Sequence, residues 1–170
     1  MLNFKQKLNK ITTIIFDVDG VMTDGKVLVM ESGEMVRNMN SKDGYALNLA
    51  VKKGYRIAVI SGGNNFAIKN ALDRNGVKDV FIKQHDKLAC YNEYKTQNNL
   101  SDEEIVFMGD DLPDHEIMSR TGLAVCPNDA ATEIKEICHY ISPKNGGEGC
   151  VRDIIEQVLR VQGNWEIVKW

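Results

Sequence analysis

Four short segments gather most of the side chains able to do chemistry. They are Asp17-Val18-Asp19-Gly20, Ser61-Gly62-Gly63-Asn64, Asp86-Lys87 and Gly109-Asp110-Asp111-Leu112-Pro113-Asp114. Each follows a short apolar run, and open α/β sheets bind ligands beyond the carboxyl ends of their strands. Carboxylates brought together there repel one another and require a cation or protonation. A hard, oxygen-rich set suits Mg²⁺, which also neutralises a phosphate. Ser61, the amides of Gly62 and Gly63, and Lys87 are donors suited to the remaining phosphate oxygens. The set implies phosphoryl transfer, in which catalysis is mostly positioning and charge neutralisation. Asp17 and Asp19 can divide the work. One, ionised, attacks phosphorus to give an aspartyl-phosphate. The other, protonated, donates to the leaving oxygen and later accepts a proton from water.

The elements that must position these residues follow from the apolar pattern. Thr12–Phe16, Arg56–Ile60, Val80–Ile82, Ile105–Met108, Leu123–Cys126 and His139–Ile141 are short and apolar enough for strands buried on both faces. Helical patterns lie between them: one ending at Lys52-Lys53-Gly54, one from Phe66 to Gly76, one over Leu88–Asn98, and one over Val151–Val161. Ser101 to Glu104 has capping-box spacing. Strands alternating with helices predict an α/β fold, a Rossmann-like three-layer sandwich around a mostly parallel sheet. Lys26 to Met39 breaks the alternation and reads as a protruding β-hairpin with a turn at Glu31-Ser32-Gly33-Glu34. At 170 residues the chain is expected to form one domain, with a terminal tail over about 164–170.

The formal net charge is −3, which argues against nucleic acid as the main partner. No apolar run is long enough for a membrane span, and the basic N-terminus lacks a signal-peptide core, so a cytoplasmic location is expected. Cys90, Cys126, Cys138 and Cys150 form no C-x-x-C pair, so they read as free thiols rather than zinc ligands.

Phe16-Asp17-Val18-Asp19-Gly20-Val21 resembles the first motif of the haloacid dehalogenase superfamily. Ile60-Ser61-Gly62-Gly63 resembles its second motif, Lys87 its third, and Gly109 to Asp114 its fourth, in the family order. The resemblance implies Asp17 as nucleophile and Asp19 as general acid/base. It implies Mg²⁺ held by the Asp17 carboxylate, the Asp19 carbonyl and Asp110. Asp19 and Ser61 are 42 positions apart, and Ser61 and Lys87 are 26 apart, too little for the cap domain of larger members. Nearly the whole chain resembles the capless group acting on 3-deoxy-D-manno-octulosonate 8-phosphate (KDO 8-phosphate), a step in lipopolysaccharide precursor synthesis. The segments DGVMTDGKV from Asp19, KDGYALNLAVKKG from Lys42, GVKDVF from Gly76 and GGEGCVRDIIEQVL from Gly146 carry that likeness. The group implies a homotetramer whose neighbours cover the site, with the hairpin at the subunit contacts. It also implies that the Gly146–Gly149 loop and Arg152 approach the substrate, though Glu148 stands where many members carry arginine. Relatives acting on nine-carbon keto-deoxy or sialic acid 9-phosphates carry a glutamate and a lysine where this chain has Gly63 and Arg74, which favours the eight-carbon substrate.

Plainer readings stand beside these. Aspartates cap helices and make turns. Asp111 and Asp114 read as supports that hydrogen-bond the metal-binding shell. Thr23 reads as a substrate contact or a turn residue, Asp43 as an N-cap, and Arg74 as a substrate contact or a favourable helix C-terminal charge. His85 and His115 lack partners at metal-ligand spacing, and His139 reads as structural. A phospho-acceptor signalling domain also combines acidic residues, a hydroxyl and a lysine, but Asp19 argues against it. A catalytically silent oligomerisation module is countered by the complete set of Asp17, Asp19, Ser61, Lys87 and Asp110.

Overall fold

A computed structural model describes residues 3–166. Its framework is a six-stranded parallel sheet: β1 (Thr13–Phe16), β4 (Arg56–Ile60), β5 (Asp79–Phe81), β6 (Ile105–Met108), β7 (Leu123–Cys126) and β8 (Tyr140–Ile141). The spatial order is β5-β4-β1-β6-β7-β8. β1 pairs with β4 on one side (Phe16 beside Val59) and β6 on the other (Phe16 beside Met108). After β1 the chain winds towards β4 and β5, then crosses to β6 and winds the other way. The loops leaving β1 and β6 therefore diverge, opening a crevice above their carboxyl ends.

The inner strands read as unbroken apolar runs because both faces are covered. Ile14, Phe16, Val59, Val106 and Met108 meet the helices on one face. These are α1 (Phe4–Leu8), α2 (Ser41–Lys52), α3 (Phe66–Arg74) and α7 (Cys150–Val161). Ile15, Ala58, Ile60, Phe107 and Ala124 face the opposite layer. That layer is α4 (Lys87–Gln97), α5 (His115–Met118) and α6 (Thr132–Ile137). The amphipathic α7 buries Val151, Ile154, Ile155, Val158 and Leu159 completely. The three-layer architecture is the one the sequence implies. The added elements α1, α5 and α6 are short, and α1 and α6 each bury one residue, Leu8 and Ile134.

The hairpin is β2 (Leu28–Val29) and β3 (Met35–Val36), antiparallel, with Val29 beside Met35. Gly33 turns it at φ +83°, in the left-handed region glycine favours. Every residue from 24 to 36 is exposed. Between Ser61 and Lys87 the chain carries only α3 and β5, so no cap domain stands over the sheet. α2 is capped by Asn40, whose side chain accepts from the Lys42 amide. Asp43, the residue expected there, sits inside the first turn, where its Oδ1 accepts from the Arg152 amide at 2.8 Å and ties α2 to α7. Cys90, Cys126, Cys138 and Cys150 are free thiols. No helix among the described residues is long and apolar enough to cross a membrane. Of the expected tail, Trp165 packs edge-on against Tyr45, while residues 167–170 lie outside the described residues.

Candidate active site

A cleft of about 790 Å³ opens at the carboxyl ends of β1, β4 and β6, lined by Asp17, Asp19, Ser61, Gly62, Gly63, Lys87, Asp110, Asp111 and Asp114. Asp17 continues β1, its amide donating to the Met108 carbonyl at 3.0 Å. The chain then turns sharply, the Val18 carbonyl accepting from the amides of Val21, Met22 and Thr23. Gly20 makes the turn feasible twice over. It takes φ +86°, and a Cβ there would overlap the Asp110 carboxylate. The turn is held from outside by the Gly146–Gly149 loop. Gly147 donates to the Val21 carbonyl, and a Cβ on Gly146 would overlap the Gly20 backbone.

On the floor of the cleft, Lys87 Nζ lies 2.9 Å from Asp17 Oδ1 and 2.8 Å from Asp114 Oδ1. All three side chains are buried. Lys87 is the first residue of α4, where the helix dipole disfavours a cation. Burial also works against the ammonium, but Asp17 and Asp114 outweigh it and hold its pKa above the usual lysine value. Asp114 Oδ2 accepts from the Asp110 amide at 3.2 Å, so this carboxylate braces both the lysine and the loop after β6.

Burial, then the neighbouring Asp114 charge, push Asp17 up to about 7 against the pull of Lys87. Burial and the charges of Asp17, Asp114 and Asp111 push Asp110 up to about 7. Oxygens of Asp17, Asp110 and Asp114 lie within 4.8 Å of one another, and the buried Asp110 Oδ1 has no hydrogen-bond partner. Crowded carboxylates with an orphaned oxygen are the donor set a hard divalent cation satisfies, so Mg²⁺ fits. Both Asp114 oxygens are already engaged, which leaves Asp17 and Asp110 as the side chains to hold it.

Ser61 follows β4. Its Oγ accepts from the Gly63 amide at 3.1 Å, which leaves the hydroxyl proton free to point into the cleft. The Gly63 amide is held by Ser61 Oγ, and Gly63 lines the cleft beside it. Asp111 is exposed at the rim and its side chain makes no capping bond; its backbone amide donates to the Asp114 carboxylate, and its charge adds to the crowding around Asp110. Thr23 is fully buried, its hydroxyl within 3.4 Å of the Val18 carbonyl and the amides of Gly20 and Gly25. It braces the turn and does not reach the cleft. Arg74 ends α3, exposed and at the far end of that helix from the Ser61–Gly63 loop. The Arg152 guanidinium lies over the rings of Tyr45 and Trp165, 5.8 and 5.5 Å from their centroids. Neither arginine enters its own chain's cleft. His139 accepts from the Ala124 amide through Nδ1, and so is structural.

One residue escaped the sequence reading altogether. Arg37, just past β3, places Nε 2.6 Å from Asp19 Oδ1 and Nη2 3.2 Å from Asp19 Oδ2. Its only signal in the sequence is a lone cation at the end of the hairpin.

Fold and site together define a hydrolase, and residues 64–154 match the model of the haloacid dehalogenase-like hydrolase family. The chain belongs to that family, and its named relatives put it among the phosphoric monoester hydrolases. It is 30% identical over 161 residues, 95% of this chain and 86% of the relative, to the 3-deoxy-D-manno-octulosonate 8-phosphate phosphatase KdsC of Yersinia pestis. The Y. pestis crystal structure matches with a TM-score of 0.92 over 94% of this chain and 86% of that one. The Moraxella catarrhalis phosphatase, crystallised with magnesium, phosphate and KDO, matches with a TM-score of 0.91 at 26% identity, over 94% of this chain and 92% of that one. A cobalt-bound Haemophilus influenzae phosphatase matches with a TM-score of 0.88 at 26% identity, over 93% and 92%.

Proposed function

We propose that this protein is a Mg²⁺-dependent phosphatase that hydrolyses KDO 8-phosphate through an aspartyl-phosphate on Asp17. The observation that carries the chemistry is the buried Asp17 carboxylate, gripped by Lys87 and crowded by Asp110, directly below an open cleft. Likeness to KDO 8-phosphate phosphatases over nearly the whole chain supports the sugar.

Mg²⁺, held by the carboxylates of Asp17 and Asp110 and the carbonyl of Asp19, would neutralise phosphate charge and keep Asp17 ionised. Ser61 Oγ–H and Lys87 Nζ–H bind the phosphate oxygens that face them. Asp17 attacks phosphorus as the bond to the sugar oxygen breaks, and Asp19 donates its proton to that oxygen. Asp19 then takes a proton from water, which attacks phosphorus and frees Asp17 and inorganic phosphate. Lys87, fixed by Asp114, balances the Asp17 charge at the start and end of the cycle.

The exposed Leu28, Val29 and Met35 of the hairpin support a second copy of the chain as the cover for this uncapped cleft, within a homotetramer. The test is phosphate release from KDO 8-phosphate, its nine-carbon analogues and simple sugar phosphates, with Mg²⁺ or EDTA. The reading requires Mg²⁺-dependent turnover far highest on KDO 8-phosphate. Preference for a nine-carbon ester would keep the mechanism and replace the substrate.

A further inference from the structure

Arg37 is the point at which the hairpin turns back into the molecule. Residues 24–36 are all exposed, yet the Arg37 side chain is only 11% exposed. Its guanidinium forks onto both oxygens of Asp19, tightly on Oδ1 at 2.6 Å and loosely on Oδ2 at 3.2 Å. Nη1 lies 3.4 Å from the Met35 carbonyl, tying the fork to its own strand. A paired contact of this kind fixes orientation as well as charge. The two oxygens of Asp19 are not equivalent. A Cβ built on Gly63 would lie 3.3 Å from Oδ2 and 3.4 Å from Ser61 Oγ, so Oδ2 faces the loop that receives the phosphate.

Resting on the phosphatase reading above, we infer that Arg37 is a positioning residue for the acid/base Asp19. It anchors the carboxylate tightly through Oδ1 and only loosely through Oδ2, the oxygen that faces the phosphate loop and exchanges the proton. As the bond from phosphorus to the sugar oxygen breaks, the Oδ2 proton passes to that oxygen. As water attacks the phosphoaspartate, its proton returns to Oδ2. The anchor belongs to the hairpin, so the placement of the acid/base depends on an element outside the sheet.

Leaving-group dependence tests this. An aryl phosphate with a good leaving group needs little proton donation, whereas an alkyl phosphate needs a well-placed acid. The kcat and KM of wild type, Arg37→Met and Arg37→Lys would be measured on p-nitrophenyl phosphate and KDO 8-phosphate, with melting curves. A misplaced acid costs on the order of 10²-fold in kcat. Arg37→Met should show that loss on KDO 8-phosphate, less than ~10-fold loss on the aryl ester, and little change in KM. Arg37→Lys should fall between, and carries the same comparison where Arg37→Met does not fold. Equal losses on both esters with a lowered melting temperature would overturn the assignment in favour of a hairpin anchor. A change confined to KM would overturn it in favour of substrate binding. Unchanged kinetics in both variants would overturn it alone. Absence of wild-type turnover on either ester would overturn the phosphatase reading, and this assignment with it.

Discussion

The floor of the cleft and the hairpin manage charge and apolar surface in opposite ways. On the floor, Asp17, Lys87 and Asp114 are buried, and each engages its neighbours at under 3 Å. In the hairpin, two-residue strands expose Leu28 at 64% and Val29 at 65%. The floor is rigid because any displaced charge there would be buried without compensation. The hairpin is marginal by itself, since two short strands bury too little to hold a shape. Arg37 joins the two regions by carrying a hairpin cation to Asp19. On the proposed mechanism, the nucleophile Asp17 lies on the buried floor, while the acid/base Asp19 is held from an exposed hairpin.

Removing the cation from the floor should have the largest effect on stability. Lys87→Met leaves two buried carboxylates facing each other, and breaking a buried pair this way costs about 3–5 kcal/mol. Urea denaturation would show it as a lowered midpoint, alongside lost activity. A loss under about 1 kcal/mol would mean that the floor is wetter and softer than its burial indicates.

Asp43, where the hairpin rejoins the fold, should give the next largest signal. Burial, opposed by Arg152, raises its carboxyl from the usual 3.8 to about 6. Between those values the folded protein holds a proton that the unfolded chain has released. Stability attributable to this group therefore falls as pH rises from about 4 to about 6, by roughly 3 kcal/mol, and is level above that. Asp43→Asn should remove that part of the slope in denaturation measured across this pH range. An unchanged slope would place its origin elsewhere.

Mg²⁺ should stabilise the floor and leave the hairpin untouched. At 100 times its dissociation constant a ligand adds about 2.7 kcal/mol. The melting temperature should rise with Mg²⁺, and Asp110→Asn should abolish most of that rise. A rise that survives in the variant would remove Asp110 from the ligand set.

The smallest effect belongs to the hairpin surface. Leu28→Ser should change the stability of the isolated chain by no more than about 0.5 kcal/mol. Sedimentation of the variant would show whether the hairpin joins copies of the chain, by a lowered assembly state. A large loss of stability in the monomer would show the hairpin packed on its own chain.

The same contrast explains what was legible in the sequence. Strands buried on both faces leave continuous apolar runs, so Arg56–Ile60, Ile105–Met108 and Leu123–Cys126 could be placed to the residue. The helices α1 and α6 could not, because each is five or six residues long and buries one side chain, too little for a helical period. Asp17, Asp19, Ser61 and Asp110 could be grouped because each lies just beyond a strand, and Lys87 because it opens the helix that follows one. Thr23 and Gly63 sit within the same segments but spend their hydrogen bonds on the turn and on Ser61. Arg37 was illegible because its partner lies 18 residues away, through a hairpin whose own pattern says nothing of where it points.

The central claim is that the phosphoryl group passes through Asp17. The most direct test is rapid acid quenching of the enzyme mixed with Mg²⁺ and KDO 8-[³²P]phosphate, followed by peptide mapping. The account predicts transient label on the peptide containing Asp17, absent in Asp17→Asn. Turnover that never labels Asp17, or label on another residue, would contradict it.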